Sequence, residues 1–61
     1  MAFRRWIGLF VRGGEVKPLT IWGNIGNEEA FQESINRLVK QHVARGWALL
    51  VYTEDTVGDI N

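Results

Sequence analysis

The chain of 61 residues contains no cysteine, so neither a disulfide nor a thiolate metal site can stabilise it. It also contains a single histidine, His42, and a single serine, Ser34. On the predicted helix these two residues are separated by two turns and about 80° of rotation, so they should not meet. Because a nucleophile needs a base within hydrogen-bonding reach, we expect no catalytic residues and no cofactor.

Long apolar runs are absent as well. The apolar stretch in MAFRRWIGLFVRGG covers only residues 7–11, which is too short for a signal peptide and far short of the roughly 20 residues of a membrane span. A chain of this length has room for one domain. We therefore expect a single cytoplasmic domain over residues 1–61 that makes no contact with a membrane.

Two segments resemble a phosphate-binding loop and a calcium-binding loop, but they lack the residues that such loops need. GNIGNEE, residues 23–29, precedes a helix, yet Glu28 and Glu29 would repel a phosphate and no P-loop lysine follows the glycines. Glu54, Asp55 and Asp59 lack the spacing and central glycine of a calcium loop. We interpret the first segment as a strand-to-helix turn and the second as a solvated tail, and we predict no metal site.

The pattern of the chain predicts two strands, a helix and a third strand. The strands are expected over residues 3–12, 16–22 and 47–53, and the helix over residues 28–45. Asn27 suits the helix N-cap, and Gly46 suits a left-handed residue just past its end. The apolar stripe of the helix recurs at helical spacing and contains Phe31, Ile35, Leu38 and His42, widened by Val39 and Val43.

These elements predict a two-layer α+β fold, β-β-α-β, with one helix on one face of a three-stranded sheet. The right-handed crossover from the second strand through the helix places the third strand beside the first, which gives the order 2-1-3. Pro18 protects the edge of the second strand. The segment WALLVYT has neither charge nor proline, so it predicts an edge that is open to pairing with another chain.

The register of the hairpin decides which side chains lie beneath the helix. A three-residue loop with Gly14 in the left-handed conformation would separate aliphatic from aromatic residues, and we take this register as the prediction. Aliphatic residues and Trp47 would then pack under the helix. The opposite, uncovered face would hold Trp6, Phe10, Trp22, Leu50 and Tyr52. A two-residue loop would mix the two sets, and the aromatic residues could then lie in a single core.

The arginine and aromatic residues of the predicted uncovered face are the one constellation that indicates a function. Aromatic residues and arginine are the types enriched at protein-binding hot spots. We therefore expect a non-catalytic protein-binding module that forms a homodimer through this face or through the edge of the last strand. The candidate binding residues are Arg4, Trp6, Phe10, Arg12, Trp22 and Tyr52.

Nucleic-acid binding is the alternative interpretation, since aromatic residues on a sheet can stack bases while Arg4, Arg5, Arg12 and Lys17 hold phosphates. The net charge of zero argues against it. The size and the lack of chemistry fit a small accessory or inhibitor protein, of the kind encoded by phages or mobile elements, that binds a larger host assembly. If the aromatic residues close a dimer, such a partner would have to use the basic turn or the outer face of the helix.

Overall fold

The computed structural model describes residues 2–58, and it contains three strands and one helix. The strands are β1 (Ala2–Arg12), β2 (Glu15–Asn24) and β3 (Ala48–Gly58), and the helix is α1 (Glu28–Ala44). Strand β1 is central and pairs antiparallel with both neighbours, in the order β2-β1-β3. The predicted α+β fold with its β-β-α-β arrangement is confirmed. Within residues 2–58, no helix combines the length and the hydropathy that a membrane crossing requires.

The hairpin between β1 and β2 closes through two residues, so the predicted three-residue loop is wrong. Arg12 pairs with Glu15, and only Gly13 and Gly14 lie between them. Gly13, not Gly14, has the positive φ of 57°, as expected at the first central position of a type II′ turn. A two-residue loop pairs even-numbered residues of β1 with odd-numbered residues of β2, so each face of the hairpin combines residues that the predicted register had placed on opposite faces.

As a consequence, the predicted assignment of the faces of β1 is reversed. Trp6 and Phe10 lie beneath the helix, with 2% and 0% of their surface exposed. The helix side of the sheet therefore carries the aromatic residues of β1 together with Leu19 and Ile21 of β2. Trp22, in contrast, lies on the opposite face and remains exposed.

A β-bulge at Leu50 changes the alternation of β3. Phe10 pairs with Leu49 and Leu9 pairs with Val51, so Leu50 is the additional residue on β3. Beyond the bulge, Tyr52 lies on the helix side and Val51 on the opposite side, whereas strict alternation from Trp47 predicted the reverse. The sequence WALLVYT contains no glycine that would mark such a bulge.

Both ends of α1 agree with the predicted boundaries to within one residue. Asn27 is the N-cap residue, although its side chain makes no capping hydrogen bond. At the other end the Gly46 amide donates to the Val43 carbonyl oxygen and the Trp47 amide donates to that of His42. This pair of bonds, with Gly46 at φ 89°, is a Schellman motif. It directs the Trp47 side chain back into the core.

The predicted stripe of α1 meets the sheet. Phe31 and Ile35 are buried in the core with Trp6, Phe10 and Trp47, and Leu38 and Val39 pack against them. His42 is also buried, as expected for a core residue. Its Nδ1 donates to the Leu38 carbonyl oxygen at 2.8 Å, and its ring lies 4.9 Å from that of Phe10.

Strand β3 is five residues longer at its carboxyl end than predicted, because it runs to Gly58 instead of residue 53. Glu54 and Asp55 were expected in a solvated tail, but they lie in this strand opposite Trp6 and Arg5. Asp59, the third acidic residue of that expected tail, lies outside the described residues.

Candidate functional site: the open face of the sheet

The face of the sheet opposite α1 is covered by no element within residues 2–58. We call it the open face. The strand registers place on it apolar side chains along the whole length of all three strands, with threonines and one pair of opposite charges between them. Its apolar members are Phe3, Ile7, Leu9, Val11, Val16, Pro18, Trp22, Ala48, Val51 and Val57.

Several of these side chains are large and solvent-exposed. Val16, Trp22 and Val51 keep 63%, 55% and 54% of their surface in contact with solvent. Phe3, Trp22 and Val57 also outline a shallow apolar hollow at the end of the sheet near the start of β1. A contiguous apolar surface of this kind, on a chain that is otherwise rich in charge, is typical of a protein–protein contact.

Among residues 2–58, the only charges on the open face neutralise each other. Arg5 and Asp55 pair across β1 and β3, with Nε donating to Oδ1 at 3.0 Å and Nη2 donating to Oδ2 at 2.5 Å. The Arg5 guanidinium also lies 5.7 Å from the ring centre of Trp22. The bidentate hydrogen bond from Arg5 lowers the pKa of Asp55, and the bond to Asp55 raises that of Arg5. The open face is therefore neutral as well as apolar.

The six residues predicted to form one binding site do not lie together. Trp6 and Phe10 are core residues, so their side chains are not available to a partner. Tyr52 is exposed on the helix side, where its ring stacks on that of Trp6 with centres 5.9 Å apart. Of the predicted aromatic residues, only Trp22 is on the open face.

The two remaining candidates, Arg4 and Arg12, lie on the helix side and hold the structure together. Arg4 donates to carboxylate oxygens of Glu28 and Glu54, and its guanidinium lies 5.7 Å from the Phe31 ring centre. Arg12 lies 4.4 Å from the Trp47 ring centre and donates to the Arg45 carbonyl oxygen at 3.3 Å.

Arg12 also pairs with Glu15 at 3.3 Å. The basic residues of β1 therefore meet carboxylates of the same chain. Three of the four basic residues that the nucleic-acid alternative assigns to phosphates are therefore paired, and Lys17 is the one that forms no ion pair among residues 2–58.

Sequence reasoning missed the aliphatic members of the actual site. Ile7, Leu9 and Val11 form its centre on β1, and Val51 adjoins them on β3. One signal could have identified them: two consecutive glycines are a favoured two-residue hairpin turn. That loop length groups Trp6 and Phe10 with Leu19 and Ile21 on one face, and it leaves Ile7, Leu9 and Val11 with Val16, Pro18 and Trp22 on the other.

The overall shape shows how little of the sheet is enclosed. The radius of gyration of the Cα atoms is 12.8 Å, compared with about 10.5 Å expected for a compact domain of this length. The smallest dimension is only 11 Å, which is the thickness of one helix layer on one sheet. A single layer of α1 therefore leaves half of the sheet surface in solvent.

The Arg5–Asp55 pair predicts an acid-sensitive component of stability. Because the pKa of Asp55 is lowered on folding, the pair stabilises the fold above the unfolded pKa of about 3.9, and this contribution is lost as the pH falls through the lower folded value. Urea unfolding should therefore show Asp55→Asn to be less stable than the wild type at neutral pH, and the difference should disappear towards pH 2.

Glu33→Gln is the matched control, because Glu33 is exposed and forms no ion pair among residues 2–58. Its stability should follow that of the wild type across the same pH range. A difference between Asp55→Asn and the wild type that persists unchanged in acid would contradict the role of the pair.

Comparison of the chain with protein-family models, with curated proteins and with solved structures finds no match.

Proposed function

We propose that this chain is a non-catalytic protein-binding module that forms a homodimer by packing two open faces together. The observation that carries the proposal is the bare, neutral and apolar face opposite α1. Two such faces would form a four-layer arrangement, with the helices outside and the two sheets packed about 10 Å apart. The central contacts would come from Ile7, Leu9 and Val11 of each copy.

The size of the face is compatible with a dimer of modest affinity. Three strands of about ten residues cover roughly 470 Å² in plan, from a strand spacing of about 4.8 Å and a rise of about 3.3 Å. The accessible area is larger than the plan area, since side chains stand out of the sheet. It therefore approaches the roughly 600 Å² per partner at the lower limit of standard interfaces.

The small core gives a physical reason for association. Among residues 2–58, only five hydrophobic residues form the buried core. The chain has 61 residues, and domains of this size are marginally stable alone. Burial of the open face would add apolar contacts that the chain cannot make by itself. Dimer formation would then stabilise the fold by mass action.

The charges of the open face favour a protein over a nucleic acid as the partner. The open face contains one arginine, and Asp55 neutralises it. A face that is neutral and apolar suits another apolar surface, whereas a phosphate backbone requires unpaired cations.

Leu9→Lys tests the dimer most directly. Leu9 lies between Pro18 and Val51 at the centre of the open face. A dimer of the variant would therefore place two lysine side chains of like charge inside the interface. Light scattering on a size-exclusion column should give twice 7.0 kDa for the wild type and the single mass for Leu9→Lys. The far-ultraviolet circular dichroism of the variant should match that of the wild type.

Val43→Lys is the matched control, because Val43 is exposed on the helix and lies outside the open face. It should keep the dimer mass. A wild type that remains monomeric at high micromolar concentration, or a Leu9→Lys variant that remains dimeric, would overturn the proposed interface.

A further inference from the structure

A groove lies on the other side of the sheet, between α1 and β3. The helix packs more closely against β2 than against β3, so it leaves the helix side of β3 uncovered. The resulting groove has a volume of about 440 Å³, within the usual size range of sites that bind small molecules and peptide side chains. Its apolar wall and floor are formed by Trp6, Ile35, Val39, Val43, Leu49 and Tyr52.

The groove adjoins the unpaired edge of β3. Within residues 2–58, β3 pairs only with β1, so its other edge has no partner strand. Natural sheets protect such edges with lysine, proline or inward charges. In β2 this protection is supplied by Lys17 and Pro18, but residues 51–58 of β3 contain neither lysine nor proline. The two acidic side chains of β3 are already paired with arginines of β1.

An extended peptide that pairs with this edge would reach the groove with every second side chain. Side chains of a strand alternate between the two faces, and an added strand lies about 4.8 Å beyond its neighbour. Those on the helix side would pass beside Tyr52 and approach Val39 and Val43 of α1. Strand addition next to a helix is a known mode of peptide recognition, in which the backbone supplies affinity and the pockets supply specificity.

Lys40 gives the groove a charge preference. It lines the groove beside Val39 and Val43, and it forms no ion pair within residues 2–58. Glu54 also lines the groove, but its carboxylate accepts a hydrogen bond from Arg4, which leaves Lys40 as the unpaired charge of the lining. A carboxylate on the bound strand would complement it. We propose that an extended segment of a partner protein adds to the edge of β3, with apolar side chains at alternate positions in the groove and an acidic side chain at Lys40.

This proposal extends the protein-binding role and does not require the dimer, because the groove and the open face lie on opposite sides of the sheet. The monomeric Leu9→Lys variant should therefore bind the same peptides as the wild type. Loss of the dimer alone would leave the groove proposal standing, and loss of peptide binding alone would leave the dimer standing.

Selection from a phage-displayed library of random ten-residue peptides tests the proposal. The wild type should enrich peptides with apolar residues at every second position and Asp or Glu at one fixed position. Lys40→Glu should change that position to Lys or Arg, and it should weaken the binding of a wild-type-selected peptide at least about fivefold, since repulsion replaces attraction. Arg37→Glu, an equal charge change on the exposed helix outside the groove, should alter neither result.

Three outcomes would overturn the proposal. The first is no enrichment, or enrichment without a period of two. The second is an acidic preference that persists in Lys40→Glu, or that disappears equally in Arg37→Glu. The third is enrichment only of sequences that match residues 48–58, because the occupant of the edge would then be a second copy of this chain.

Discussion

Phe10→Ala should remove most of the free energy of unfolding of the chain at 25 °C. The Phe10 side chain has no solvent-exposed surface and contacts the rings of Trp6 and His42. Truncation of a buried phenylalanine costs about 3–5 kcal/mol, and a domain of this length has roughly 3–9 kcal/mol of stability in total. The variant should therefore lose most of its free energy of unfolding, which urea titration followed by circular dichroism would measure.

This variant also tests which face of β1 meets the helix. In the arrangement predicted from the sequence Phe10 would lie on the face away from the helix, where truncation would cost the monomer about 1 kcal/mol or less. The matched control is Trp22→Ala, which removes a larger aromatic side chain from the exposed side of the same sheet. At low micromolar concentration Trp22→Ala should cost much less than Phe10→Ala. Equal losses in the two variants would contradict the burial described here.

The architecture could be predicted from the sequence because its signals are local and independent. Asn27 and Gly46 mark the ends of a helix whose stripe has a clear period, and the connection lengths then leave few topologies. The residue types of β1 were equally informative: both sides of that strand are apolar, so the sheet must have two apolar faces. That inference holds in the structure, where the helix covers one face and leaves the other open.

The assignment of the faces could not be predicted with the same security, because it depends on a single residue of loop length. Changing the loop from three residues to two moves every side chain of β2 to the other face relative to the side chains of β1. On β1, only tertiary packing decides which of the two apolar sides meets the helix. The sorting of aliphatic from aromatic residues carried no physical information about register, whereas the fit of two glycines to a two-residue turn did.

The ion pairs between β1 and β3 were missed for a related reason. Glu54 and Asp55 have no apolar alternation after them, so the sequence indicates the end of a strand. The structure extends β3 because Arg4 and Arg5 supply partners across the strand pair. Long-range complementarity of this kind has no local signature.

Gly8→Ala should destabilise the fold by about 1–3 kcal/mol, the usual cost of overpacking a filled core. Gly8 is buried on the helix side of β1, and the Trp6 indole lies directly against it. A Cβ atom at this position would overlap the indole, whose Cζ3 and Cζ2 atoms would be only 2.7 and 3.0 Å away. Trp6 cannot give way easily, because it is itself buried and packed against Phe10 and Tyr52.

A double-mutant cycle separates this contact from the general effects of replacing glycine. In a Trp6→Leu background the smaller side chain vacates the space, so the added cost of Gly8→Ala should fall by at least about 0.5 kcal/mol. Gly14→Ala is the matched control, since a Cβ atom there has no neighbour within 4 Å and φ is not positive. Urea midpoints of the four members of the cycle would decide the question. If Gly8→Ala costs the same with and without the indole, the close approach of Trp6 to the backbone of β1 is not what requires glycine there.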